Sequence, residues 1–158
     1  MVVNPGAGWV TKEWGVEKYA ALADRIKQQF SCNLIINWGP GEEGMAKKLL
    51  ANMSEKAFLA PPTSLKQSIA LLKRSDLFIG PDTGPMHIAA GLGIPVVAIF
   101  GPSDPVRNGP FGSKNKIVRT RTSCDNCYKR ECAALECMKL ISVDDVFKKV
   151  KECLNPIY

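Results

Sequence analysis

The chain has 158 residues, is 46% hydrophobic, and carries 21 lysines and arginines against 15 aspartates and glutamates, a net charge of +6. That is enough for one well-buried domain and too little for two of ordinary size; no apolar run approaches the about 20 residues that cross a bilayer, and no basic-then-hydrophobic leader opens the chain, so a cytosolic protein is expected. The basic residues scatter along helix faces and the tail, which reads first as solvation; such a surface also suits a phosphorylated ligand or an anionic membrane, whereas no basic stripe interleaved with aromatics points to nucleic acid.

Met1 to Val3 is a truncated apolar strand running into the turn-rich Asn4-Pro5-Gly6-Ala7-Gly8. A domain that opens on the last residues of a strand reads as a piece cut from something longer, with Met1 as an added start. Val16, Tyr19, Ala20, Ala23, Ile26 and Phe30 recur at helical spacing and predict a helix over 16–30 with one apolar face. A strand is predicted over 33–37, punctuated by Trp38-Gly39-Pro40-Gly41, then a helix over 42–53 through Met45, Ala46, Leu49 and Leu50. Residues 57–60 form a short strand ended by Pro61-Pro62, after which Thr63 or Ser64 caps a helix bearing Leu65, Ile69 and Leu72.

Next comes the stretch 78–101. An apolar strand over 77–79 stops at Gly80-Pro81, Asp82 and Thr83 stand where an N-cap belongs, Pro85 falls in the first turn of a small-residue helix, and glycine closes that helix before a strand over 96–100. The free amides of such a helix start bind anions. Strand and helix have now alternated through five strands. That alternation predicts an α/β fold, a doubly wound, Rossmann-like parallel sheet with helices on both faces.

Beyond Phe100 the chain turns loop-rich, with one more strand at 116–119, four cysteines within 124–137, and a last helix capped by Ser142 whose Val143, Val146, Phe147, Val150 and Leu154 share a face. That face needs a partner surface. Cysteine-containing tail and final helix, 116–158, complete a single domain over 1–158.

Ligands of open parallel sheets bind beyond the carboxyl ends of the strands. Three glycine-rich loops leave such ends here, 4–12, 38–43 and 80–87. They offer Lys12, the carboxylates Glu42, Glu43 and Asp82, the Thr83 hydroxyl and the single histidine, His87. The set suits a phosphorylated, hydroxyl-bearing ligand, with amides and Lys12 for phosphate and a carboxylate for sugar hydroxyls. Taken singly each residue has a plainer role: Asp82 a helix cap, His87 a packed histidine, Lys12 a loop lysine, Trp38 a core residue. No G-x-G-x-x-G follows the first strand, and neither a P-loop nor a G-x-S-x-G elbow is present, which disfavours the common oxidoreductases, ATPases and hydrolases.

The run D-T-G-P-M-H-I-A-A-G-L-G-I-P-V-V-A-I-F-G-P-S-D-P at 82–105 resembles the signature of the glycosyltransferase family 9 heptosyltransferases. N-P-G-A-G-W-V-T-K-E-W at 4–14, W-G-P-G-E at 38–42 and the tail from Cys137 to Val146 support the resemblance. It extends over almost the whole chain and matches only the C-terminal half of these two-domain, GT-B-type enzymes; the N-terminal, acceptor-binding half is absent. The resemblance implies a donor-binding domain that takes ADP-heptose and serves heptose transfer to the lipopolysaccharide inner core, with inversion at the anomeric carbon. It implies donor-phosphate contact by Lys12, ribose contact by Glu42 or its neighbour Glu43, and orientation of the donor sugar by Asp82. Thr83 and Gly84 then hold the pyrophosphate through their amides, His87 is the motif histidine, and Trp38 belongs to the donor-binding set. No catalytic residue is expected within this chain, because the general base belongs to the missing half, so the chain is expected to bind donor and turn nothing over. No cofactor is required. The acceptor, the lipopolysaccharide core, is expected to reach the protein through the missing domain, at the inner face of the inner membrane, where the full-length protein can associate peripherally. In GT-B proteins the last helix often crosses back to the first domain, which leaves its apolar face either exposed or re-docked here.

Cys124, Cys127, Cys132 and Cys137 allow a structural zinc or iron-sulfur site, yet only one C-x-x-C knuckle is present, and free thiols or a disulfide stand beside it as the alternative. Cys32 and Cys153 read as ordinary buried positions. Two further functions compete with the heptosyltransferase reading: a GT-B domain for another nucleotide-sugar, and a non-catalytic nucleotide- or metal-binding interaction module.

Overall fold

The computed structural model describes residues 1–154. Six parallel strands, β1 (Val2–Val3), β2 (Ile35–Ile36), β3 (Phe58–Leu59), β4 (Phe78–Pro81), β5 (Val96–Ile99) and β6 (Lys116–Val118), form one sheet in the order β3-β2-β1-β4-β5-β6. This is the doubly wound order, with the reversal between β1 and β4, where a crevice opens at the strand ends. The first three strands are each two residues long, shorter than the sequence predicts, because Pro5, Trp38-Gly39-Pro40 and Pro61-Pro62 take the chain out of the ladder at once.

Side-chain alternation divides the core in two. Val3, Ile36, Ile79, Val97, Ile99 and Val118 face one layer, made by α1 (Val16–Gln29), α2 (Glu43–Ala51) and α7 (Val143–Leu154). Val2, Phe78, Val96, Ala98 and Phe100 face the other, made by α3 (Leu65–Lys73) and α4 (Gly84–Gly91). Because the pleat has period two, a continuous apolar strand such as V-V-A-I fills both layers, and β4 and β5 are buried throughout.

The helix starts follow their caps. Ser64 and Gln67 form a reciprocal capping box at α3, settling the choice between Thr63 and Ser64. The Ser142 hydroxyl accepts from the Asp145 amide at 3.1 Å, and the Asp145 carboxylate accepts from the Ser142 hydroxyl at 2.6 Å and from the Ser142 amide at 3.0 Å, the two bonds that hold its carboxyl below the usual range. The α7 face carrying Val146, Phe147 and Val150 is buried against α1, β5 and β6, so of its two expected outcomes it is docked on this domain. Two short helices escaped the sequence reading: α5 (Pro105–Asn108), capped by Asp104, and α6 (Glu136–Lys139), inside the cysteine tail.

One glycine of the central strand is demanded by packing. A Cβ on Gly80 would lie 2.8 Å from the Asn4 carbonyl oxygen and 3.0 Å from the Phe78 ring, so β1 and β4 pass too closely here for any side chain. Gly80→Ala is expected to lose about 2 kcal/mol, the cost of overpacking against backbone, in urea unfolding; a loss within experimental error of zero would contradict the close approach.

Candidate functional site

The site is built where β1, β4 and β5 end. The chain leaving β1 makes a short 3-10 turn, Val10–Lys12, that aims Lys12 across at the end of β4. Its Nζ donates to Asp82 Oδ2 at 2.6 Å and to the Asp82 carbonyl at 3.3 Å, and lies 4.4 Å from the centre of the Trp9 ring. Ser103, just past β5, donates its hydroxyl to the same Asp82 Oδ2 at 2.7 Å. Asp82 is only 5% exposed, and a buried carboxylate of this kind requires such partners. His87 is half exposed on the first turn of α4, its Nε2 3.6 Å from Asp82 Oδ1, near enough to pair when protonated.

Asp82 is therefore not the helix cap that the sequence suggests; its carboxylate turns inward to Lys12 and Ser103. Thr83 occupies the cap position with extended backbone, but its Oγ1 donates to the Pro81 carbonyl at 3.3 Å and accepts nothing from the helix. The first turn of α4 is thus left without a side-chain cap, and Thr83, Gly84 and Pro85 line an open cleft. An uncapped helix start concentrates partial positive charge on unsatisfied amides.

That cleft has a volume of about 420 Å³, within the range of small-molecule sites. Trp38, Pro40, Leu65 and Ile88 give it apolar walls, and Asn37, Glu42, Thr83 and Gly84 supply polar groups. The Trp38 indole is fixed by donation from Nε1 to the Ala60 carbonyl at 2.8 Å, so it is a half-buried wall of the cleft and not plain core. Glu42 and Glu43 separate cleanly. Glu42 Oε2 accepts the Gly39 amide at 2.8 Å and its carboxylate occupies the space that a Cβ on Gly6 would need, whereas Glu43 lies on α2 and pairs outward with Lys47 at 2.8 Å. Burial pushes the nearby Glu13 carboxyl up, and the Glu42 charge adds to the effect. Lys12, Asp82 and His87 do not line the cleft itself; they make a charged cluster joined to it through the Asp82-Thr83 step.

Sequence reasoning missed two elements of the site. Ser103 lies within the quoted motif, but nothing in its spacing announces a partner 21 residues earlier. Asn4 and Asn37, both buried, follow β1 and β2 and join across the cleft floor, Asn37 Nδ2 donating to Asn4 Oδ1 at 2.8 Å. An asparagine directly after each of two apolar strands was the available signal.

The cysteine tail lies apart from this cleft. All six cysteines are free; Cys124 and Cys132 are exposed, Cys127 is half-buried and Cys137 is buried. Cys32 and Cys153 are half-buried, which corrects the expectation that both are buried, since each sits at the margin of its helix layer. Among the described residues no three cysteine, histidine or carboxylate side chains are gathered closely enough to hold a metal ion. No step of the chemistry is drawn through a metal. Burial pushes the Cys137 thiol up, and the neighbouring Cys127, Cys124 and Cys132 act in the same direction. A thiol-alkylating reagent read by mass spectrometry is expected to modify Cys124 and Cys132 first and Cys137 last; early modification of Cys137 in the folded protein would contradict its packing.

Residues 1–138 match the family model described as glycosyltransferase family 9 (heptosyltransferase). Among curated relatives, the lipooligosaccharide heptosyltransferase 2 of Campylobacter jejuni is 29% identical over 98% of this chain and 51% of its own length. Among solved structures, the glycosyl transferase family 9 protein of Veillonella parvula superposes with a TM-score of 0.86 at 25% identity, covering 99% of this chain and 46% of that one. The E. coli heptosyltransferase WaaC with ADP superposes with a TM-score of 0.79 at 22% identity, over 96% of this chain and 43% of that one, a likeness of fold. The chain spans about half the length of the curated relatives it matches. No helix among the described residues is long and apolar enough to cross a membrane. With the family model matching most of its length, the chain belongs to glycosyltransferase family 9, the heptosyltransferase family.

Proposed function

We propose that this chain is the donor-binding part of an inverting heptosyltransferase and that the cleft holds the ADP portion of ADP-heptose. The observation that carries the reading is the uncapped start of α4, set between an apolar-walled cleft and the Lys12-Asp82-His87 cluster. A nucleoside fits the Trp38 side of the cleft, the pyrophosphate meets the open amides at Thr83 and Gly84, and the sugar extends toward Asp82 and His87. The WaaC structure named above, which contains ADP, supports the choice of nucleotide by analogy.

The chemistry asked of these groups is leaving-group stabilisation. A nucleotide-sugar pyrophosphate carries about two negative charges, and more charge collects on the β-phosphate oxygen that joined it to the anomeric carbon as that bond breaks. The helix start and the Lys12 ammonium stabilise that charge, and the Asp82 partnership fixes where the ammonium sits. Single displacement with inversion also requires a general base that takes the proton of the acceptor hydroxyl. Asp82, the best-placed carboxylate near the cluster, is committed to Lys12 and Ser103, so we assign the base to an acceptor-binding half, which would also carry the lipopolysaccharide core to the site from the cytoplasmic face of the membrane. This chain then binds donor without turning it over.

Calorimetric titration tests the reading. The 158-residue chain is expected to bind ADP more tightly than UDP or GDP, and Lys12→Met to weaken ADP by about tenfold or more through loss of a charge-assisted phosphate contact. Since Lys12→Met also leaves Asp82 without its ion-pair partner, thermal unfolding of the variant is recorded alongside. Absence of ADP binding by the folded parent chain would overturn the proposal. Heptosyl transfer by this chain alone would overturn the assignment of the base to another half.

A further inference from the structure

The loop that enters β6 holds an aromatic side chain out in solvent. Phe111 is 90% exposed, yet the backbone around it is fastened: Asn115 Nδ2 donates to the Phe111 carbonyl at 2.7 Å and to the Gly112 carbonyl at 3.1 Å, and Asn115 Oδ1 accepts the Val96 N–H at 3.1 Å. Gly112 makes the turn with a φ of 107°, a conformation that favours glycine. The loop is therefore tied to the first residue of β5, and its one large apolar side chain is left outside the core. Exposing such a group is unfavourable unless something covers it.

Basic residues accompany it. Between 105 and 123 the chain carries Arg107, Lys114, Lys116, Arg119 and Arg121 and no carboxylate. The end of α7 adds to them, since Cys153 Sγ lies 3.9 Å from the Lys114 carbonyl. There the Glu152 carboxylate accepts from Lys149 Nζ at 2.8 Å; that bond holds its carboxyl below the usual range, and the charges of Lys116 and Lys148 act in the same direction. Lys149 is thus neutralised by Glu152, which leaves Lys114, Lys116 and Lys148 as the net charge of this corner.

We propose that Phe111, with Lys114, Lys116 and Lys148, docks this chain on an anionic lipid surface. Lysines are drawn to anionic headgroups, and an aromatic ring at the tip of a fixed loop enters the headgroup boundary without a shaped pocket, which a protein partner would have to supply. Position points the same way. The loop stands at the starting ends of β5 and β6, whereas the cleft opens at the carboxyl ends of the strands, so an acceptor-binding half that closes over the cleft leaves Phe111 uncovered. The inference goes beyond the nucleotide reading and does not depend on it: membrane attachment is placed on this chain itself, at the end of the sheet away from the site.

Cosedimentation of the 158-residue chain with vesicles tests this. Binding is expected to vesicles of equal parts phosphatidylglycerol and phosphatidylcholine and not to pure phosphatidylcholine. Phe111→Ser is expected to weaken it about tenfold through loss of the inserted ring, while Phe111→Leu keeps most of it. Lys114→Glu combined with Lys148→Glu is expected to weaken it about tenfold or more, and Lys47→Glu combined with Lys66→Glu, the same change of charge placed on α2 and α3, about twofold or less. All five positions are exposed, so the variants are expected to fold. ADP titration of Phe111→Ser, expected to match the parent chain, keeps the outcome separate from the nucleotide reading. Binding to neither vesicle overturns the proposal and leaves Phe111 to a protein partner. Equal binding to both vesicles, undiminished binding by Phe111→Ser, or an equal loss from the two lysine pairs overturns it as well, the last by showing that net charge alone is responsible.

Discussion

The Asp82 carboxylate is the constraint on which the site depends. It sits at the end of the central strand β4 and collects a lysine from beyond β1 and a serine from beyond β5, so three strand ends are locked to one buried charge. Removing either partner leaves a charge in a low-dielectric setting, and that asymmetry makes the arrangement specific even where its net stabilisation is small. The same commitment has a second effect. An aspartate in this position of a strand-to-helix turn ordinarily satisfies the helix amides, and here it cannot, because both the lysine and the serine hold its Oδ2. The open helix start and the buried ion pair are two sides of one side-chain orientation.

Much of the fold was legible because period and punctuation agree. The V-V-A-I run of β5 sits between Pro95 and a loop, the α1 stripe keeps its spacing over four turns, and the strand-helix alternation leaves few ways to arrange a parallel sheet. The convergence of three loops on one sheet edge also follows from topology, since every β-to-α connection of a parallel sheet emerges on the same side. The choice between Glu42 and Glu43 did not follow: the two differ by a single position at a helix start, and only the closed turn at Gly39-Pro40-Gly41 decides which one points into the cleft.

What the sequence concealed was pairing over distance. Asp82 looks like a cap because local chemistry favours that role, and the lysine that overrides it lies 70 residues earlier. The Asn4-Asn37 contact joins residues 33 apart, and Ser103 meets Asp82 across a β-α-β unit. In the cysteine tail, spacing left a metal site and free thiols both open and did not tell which thiol is buried: α6 carries Cys137 into the core beside Gly101, while Cys124 and Cys132 remain at the surface. Short-range patterns report secondary structure well and side-chain destinations poorly, and an active site is made of destinations.

The tail itself is fastened by residues from the opposite end of the chain. Thr11 Oγ1 donates to the Lys129 carbonyl at 2.7 Å, Trp14 Nε1 to the Ile141 carbonyl at 3.0 Å, and Lys18 Nζ to the carbonyls of Met138, Lys139 and Ile141. These contacts span between 118 and 127 residues of sequence. A ribosome therefore releases β1 and α1 long before the groups that complete them exist, and the buried indole of Trp14 waits for Ile141. Closing contacts this distant in sequence costs chain entropy before they reward it, so the cysteine tail and the β1–α1 segment depend on each other for their native packing.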